Sequence, residues 1–279
     1  MNNLLILIQC KDSVGLVTNI TRILAMHKLN IIAMREFVDE TENKFFTRIA
    51  CNGIIADEFA LKQELIAVLP NEANVNLVTQ KEKNIAVLVT KEFHCLADLL
   101  VRAHFKTLGA VVKCVIGNHP TLQEFAEKLA VPFFYVSHEN KSKADFEQEI
   151  RQLLANYELD YIVLAKFMRI LSPEFIEQYP HKIINIHHSF LPAFIGASPY
   201  KQAFERGVKI IGATAHFVTN NLDEGPIISQ QTIHVNHTLN AKQMAVGGRE
   251  IEKAVLSKAL EQVLEDRVFI SGNKTIVFE

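Results

Sequence analysis

Four cysteines, Cys10, Cys51, Cys95 and Cys114, are scattered through 279 residues with no C-x-x-C pair among them. That spacing argues against a disulfide framework or a structural zinc and fits a reduced, cytoplasmic protein. No run approaches the ~18 apolar residues of a membrane span. The apolar start, MNNLLILIQC, is short and lacks a basic leader, so it reads as a buried strand. Lysine and arginine form no long run and the formal net charge is −2, which argues against nucleic acid as the main partner. Neither G-x-G-x-x-G nor a Walker A loop follows the strand-like run at 84–90, so a dinucleotide or a nucleoside triphosphate is not indicated. There is no H-E-x-x-H, no internal repeat and no low-complexity segment. What remains is 49% hydrophobic and 22% charged, enough apolar material for a core in a chain long enough for two domains.

Periodicity divides the chain. Residues 3–10 read as a strand and 15–27 as a helix with apolar positions at helical spacing. NIIAMREFV and FFTRIACNG are strands either side of the polar turn DETENK, 56–69 is an amphipathic helix, and ANVNLVT is a closing strand. The order βαββαβ is the ferredoxin-like pattern, and residues 1–80 suffice for it. TQKEKN at 79–84 is a polar joint. Beyond it, over 84–279, strands at 84–90, 110–117, 131–136, 160–167 and 182–186 alternate with helices, the rhythm of a doubly wound parallel sheet. Thr121 with Glu124 offers a capping box, and Ser172–Pro173 and Ser198–Pro199 mark helix starts. From 208 two long strands, VKIIGATAHFV and PIISQQTIHV, flank the loop TNNLDEG; a helix over 239–266 and a hairpin across Gly272–Asn273 follow.

The most informative run is HKIINIHHSFLPAFIGASPY at 181–200. Asn185 and His187 are two apart at the end of an apolar strand, so they share a face. In an open parallel sheet, the carboxyl ends of strands are where ligands bind. His187 leads into a segment with Pro192 and Gly196, whereas alternation sends His188 to the opposite face. Asp223 lies on a turn closed by Gly225–Pro226 that can fold back over the sheet end. An amide, an imidazole and a carboxylate are suited to acyl chemistry. Thr214 and His216 share a strand face that either lines the cleft or is simply half-buried. His94 and Cys95 open a helix without a second Cys/His cluster, which argues against metal ligation. Asp12 and Gly15 bracket a strand–helix turn where backbone could approach a ligand, or where the chain merely turns.

NIHHSFLPAFIGA, the T-A-H at 214–216 and LDEGPII resemble the folate-dependent formyltransferase family. The resemblance covers nearly the whole chain. It implies a formyltransferase-type Rossmann-like fold, with Asn185, His187 and Asp223 as the catalytic trio. AKFMRILS at 165–172 resembles the loop that wraps the pterin ring, so Met168, Arg169 and Leu171 would line its pocket, with Gly196, Thr214 and His216 also against substrate. The βαββαβ unit resembles an ACT domain, a small-ligand regulatory module. That implies an amino-acid effector near Asp12 and Gly15, glycine or methionine, and a homo-oligomer. The unit departs from the ACT pattern at Lys28, where glycine is usual.

The expected substrate is 10-formyltetrahydrofolate, with folate as substrate and no other cofactor or metal. Two acceptors are open to such a trio. With water, the products are tetrahydrofolate and formate, a reaction that balances one-carbon folate pools and supplies formate for purine biosynthesis. The alternative is transfer to an amine such as glycinamide ribonucleotide. That transferase carries a Gly/Ser-rich phosphate loop after its first strand; the equivalent TKEFHCLADLL has no glycine and carries Glu92, which favours water.

Overall fold

The computed structural model describes residues 3–79, 82–193 and 198–279. The chain divides into two compact units, Met1–Lys81 and Glu82–Val277. The first has the order β1 Asn3–Lys11, α1 Leu16–Met26, β2 Asn30–Asp39, β3 Lys44–Asn52, α2 Glu58–Ala67 and β4 Asn74–Thr79. Its sheet runs β2-β3-β1-β4, all antiparallel, the ferredoxin-like arrangement of an ACT-like module. Period-two alternation on β1 sends Leu4, Ile6, Ile8 and Cys10 to one face, where they meet Ile20 and Leu24 of α1 and Leu61 and Leu65 of α2. Lys28, just past α1, takes a left-handed φ of 55°. That is the conformation a helix end asks of glycine, so the lysine occupies the same geometry at some strain.

The second unit opens with β5 Lys83–Val89, α3 His94–His104, β6 Ala110–Gly117, α4 Gln123–Lys128 and β7 Phe133–Tyr135. It continues with α5 Lys143–Leu154, β8 Tyr161–Leu164, α6 Pro173–Ile176, β9 Ile183–His187 and α7 Pro199–Arg206. β10 Ile210–Phe217, β11 Ile227–His234, α8 Ala241–Leu264 and the hairpin β12 Val268–Ser271 with β13 Lys274–Val277 complete it. The seven-stranded sheet runs β11-β10-β9-β8-β5-β6-β7. Its first five strands in the chain are parallel, and β10 and β11 turn antiparallel at one edge. Residues 85–89 of β5 are wholly buried, as a central strand covered on both faces must be. Ile85, Val87 and Val89 enter a core shared with α3 and α8, while Ala86 and Leu88 enter one shared with α5. The chain order reverses at β5, between β6 and β8, and such a switch point opens a crevice at the strands' carboxyl ends.

Of the helix starts marked in the sequence, Ser172 caps α6 by accepting from the Phe175 N–H. The Thr121–Glu124 capping box does not form: residues 120–122 make a single 3-10 turn, and Glu124 pairs with Lys128 one helical turn on. Ser198 precedes α7 in a left-handed conformation without a side-chain cap. No helix among the described residues is long and apolar enough to cross a membrane.

Candidate active site

β9 and β10 pair antiparallel in a register that sets Asn185 opposite His216 and His187 opposite Thr214. The Asn185 amide nitrogen lies 3.2 Å from His216 Nε2, and His216 Nδ1 lies 2.9 Å from the Phe217 carbonyl. A carbonyl can only accept, so Nδ1 carries the His216 proton and Nε2 accepts from Asn185. The Asn185 carboxamide is thereby oriented, with its second N–H left for other use. Burial pushes the His216 pKa down against the Phe217 hydrogen bond, in keeping with a neutral ring.

Asp223 returns over the sheet end. Its φ is 58°, a left-handed conformation aspartate tolerates. The loop is closed by the Phe217 N–H donating to the Pro226 carbonyl at 2.9 Å. A Cβ on Gly225 would stand 1.8 Å from the Phe217 carbonyl oxygen, so only glycine fits there. The result is His187 Nδ1 at 3.2 Å from Asp223 Oδ1. Burial raises the Asp223 carboxyl, but the hydrogen bond and charge of His187, helped by His216 and His188, outweigh it and hold the carboxyl below its ordinary range. With Nδ1 committed to Asp223, His187 Nε2 is buried and has no hydrogen-bond partner among the described residues. It is the reactive edge of the ring.

Asn185, His187, His216 and Asp223 line one cleft of about 310 Å³, a size suited to a small ligand. Met168, Arg169 and Leu171 line the same cleft. That loop is pinned at both ends: the Met168 N–H donates to Thr90 Oγ1 at 3.0 Å, and the Ser172 N–H donates to the buried Glu147 at 2.8 Å. Between the pins Met168 is 54% and Ile170 62% exposed, an apolar surface offered at the mouth. Thr214, expected against substrate, does not line the cleft. It is fully buried, bonds Ser189 and Leu191, and accepts from Gln230, fastening the segment after β9. Gly196 lies outside the described residues.

His188 differs from the expectation of alternation. β9 ends at His187, so the pleat stops there, and His188 also lines the cleft with its ring 5.2 Å from that of His187. Burial, then the Lys166 charge, push its pKa down to about 4. Because the folded value lies below the ordinary 6.5, the unfolded chain takes the proton first. The stabilisation is therefore full above pH 6.5 and is lost as pH falls towards about 4. We expect the melting temperature to drop over that interval and His188→Gln to flatten the drop; identical pH profiles of melting temperature for the two proteins would contradict it. Lys166, Leu164 and Ile176 also line the cleft and were not singled out from sequence, though Lys166 sits within the AKFMRILS run.

A sheet switch point, a carboxamide–imidazole–carboxylate trio and an apolar wall together make a cleft suited to acyl chemistry on a small ligand. The chain belongs to the Formyl transferase family, whose pattern matches residues 83–260. Within it the chain groups with the formyltetrahydrofolate deformylases. It is 50% identical to the formyltetrahydrofolate deformylase of Haemophilus influenzae over 98% of either chain. Among solved structures it is similar to a formyltetrahydrofolate deformylase from Pseudomonas syringae, with a TM-score of 0.95, 37% identity, and coverage of 100% of this chain and 95% of that one. A glycinamide ribonucleotide transformylase from Symbiobacterium toebii matches less fully, with a TM-score of 0.69, 29% identity and 73% of this chain against 98% of its own.

Proposed function

We infer that this protein hydrolyses 10-formyltetrahydrofolate to tetrahydrofolate and formate. The observation that carries the reading is the His187–Asp223 contact at 3.2 Å beside Asn185, in a chain that matches deformylases along its whole length. Water adds its oxygen to the formyl carbon while the carbonyl π pair moves onto the formyl oxygen. Asp223, ionised at neutral pH because its pKa is held low, accepts one proton of that water. His187 Nε2, when the ring carries a proton there, and the remaining N–H of Asn185 donate to the oxyanion. Collapse re-forms the carbonyl and breaks the C–N10 bond; N10 takes the bond pair and the proton that Asp223 accepted from water, and the formic acid released loses its remaining proton to solvent as formate. The exposed Met168 and Ile170 are suited to the flat face of the pterin. The products fit a role in balancing one-carbon folate pools and supplying formate for purine biosynthesis, and the composition suits the cytoplasm.

The test is formate release by purified protein given 10-formyltetrahydrofolate and no acceptor, then with glycinamide ribonucleotide added. Equal formate in both, with no formylated acceptor, is expected. Formylated acceptor appearing at the rate of formate release would favour the transferase.

Residues 1–80 form, on this reading, a regulatory module that binds an amino acid, glycine or methionine, and joins copies into a homo-oligomer. Two features support it. β2 is an edge strand that exposes Ile32, Phe37 and Val38, and such edges are commonly covered by a second copy. The same unit holds a cavity of about 350 Å³ bounded by Gln9–Lys11, Glu42–Lys44 and Asn71. Asp12 adjoins it in sequence and donates its N–H to Asn43; neither Asp12 nor Gly15 lines it. Residues 84–279 would carry the catalysis. Deleting 1–80 is expected to leave a smaller species that ignores both amino acids; an unchanged oligomeric mass and effector response would refute the idea.

A further inference from the structure

One concentration of buried charge takes no part in the chemistry above. Glu252, on α8, is 1% exposed and accepts from His94 Nε2 at 2.8 Å and from the Tyr200 hydroxyl at 2.6 Å. Lys166 Nζ lies 3.1 Å from the same carboxylate oxygen that His94 meets. Gly248, one helical turn earlier, makes the approach of Tyr200 possible, since a Cβ there would stand 2.0 Å from the tyrosine oxygen. These partners outweigh burial and hold the Glu252 carboxyl down at about 2. His94, Cys95 and Glu252 present ligand atoms within 4.8 Å of one another, which could suggest a metal. Lys166 already occupies the Glu252 oxygen that a cation would need, and burial, with the Glu252 charge, pushes the Cys95 thiol up. The carboxylate is built around a cation of the protein's own.

A lysine that is 4% exposed is costly without such a partner, and its position explains the outlay. β8 and β9 are parallel neighbours, with Leu164 level with Asn185. Two residues further along each chain segment come Lys166, past the end of β8, and His187, and all four residues line the cleft. Lys166 adopts a φ of 61°, left-handed for a residue with a Cβ. Such strain is held in place by its surroundings and is commonest at functional positions. The cleft also contains the ionised Asp223, which would repel both a developing oxyanion and a formate product. His188 stays neutral down to about pH 4, in part because of Lys166, so it is no counter-charge. Arg169 also lines the cleft but is exposed, where solvent screens it.

We propose that Lys166 adds a fixed positive charge to the cleft, facing first the oxyanion that His187 and Asn185 hydrogen-bond and then the formate carboxylate, and that Glu252 is the positioning residue that holds it there. The proposal rests on the hydrolytic reading above, and its test must separate the two. The informative variant is Lys166→Met with Glu252→Gln, which removes both charges together and leaves no unpaired ion in the interior; Lys166→Gln alone serves if that protein does not fold. Formate turnover, inhibition by added formate and a titration with ¹³C-formate followed by NMR are compared with the parent protein. We expect kcat to fall roughly tenfold to a hundredfold, KM to stay within about twofold, and inhibition by formate to weaken about tenfold or more, a readout that looser packing alone would not move. The NMR titration, which needs no turnover, is expected to show the same loss of formate binding. A folded variant with unchanged kcat and unchanged formate affinity would overturn the role of Lys166 while leaving the hydrolysis standing. A parent protein that makes no formate would sink the hydrolysis instead, and the NMR titration would then decide the anion site by itself.

Discussion

Replacing Asp223 by asparagine is expected to lower formate release by a factor of ~10² or more, while tetrahydrofolate still binds. The carboxylate has two tasks, the first of which an amide of the same shape cannot perform. It accepts a proton from water, and it accepts the hydrogen bond that orients His187, whose Nδ1 lies 3.2 Å away. The carboxyl is held below its ordinary range by that contact, so at neutral pH it is fully ionised and available. The wall formed by Met168, Arg169 and Leu171 is untouched by the change, so folate affinity should remain within a few-fold of the parent. Formate release by Asp223→Asn at the parent rate would show that the base lies elsewhere.

His187→Ala is expected to cost a similar factor, ~10² or more, and His188→Ala about tenfold or less. Both rings line the cleft and they are only 5.2 Å apart, so proximity does not distinguish them. Partners do. His187 is oriented by Asp223 at Nδ1 and keeps its buried Nε2 without a partner, the arrangement of a ring that works on substrate. His188 is kept neutral by burial and by Lys166 and cannot supply an imidazolium. The comparison is kcat for both variants, with folding checked by circular dichroism. A folded His188→Ala more damaged than His187→Ala would exchange their roles.

Much of this was legible in the sequence because its signals are local. The strand ending at Asn185 and His187 and the turn carrying Asp223 with Gly225 each announce themselves within ten residues. The ferredoxin-like unit was likewise readable from period-two runs and two helical stretches. What escaped depends on where elements stop or on residues far apart. His188 belongs to the cleft because β9 ends one residue earlier, a boundary that apolar pattern does not fix. Thr214 shares the strand face of His216, yet the segment after β9 folds over it and claims its hydroxyl. The Thr121–Glu124 capping box lost to a 3-10 turn begun at Pro120. Lys166 and Glu252 lie far apart in the chain, and nothing near either in the sequence names the other. Their pairing is a product of packing α8 on the sheet.

The hydrolysis itself is tested most directly by the fate of the water oxygen. Purified protein is given 10-formyltetrahydrofolate in ¹⁸O-enriched water with no acceptor present, and the products are weighed by mass spectrometry. The expected result is formate carrying a single ¹⁸O atom, formed in equal amount to tetrahydrofolate. Tetrahydrofolate appearing without labelled formate, or substrate left intact by a folded protein, would contradict it.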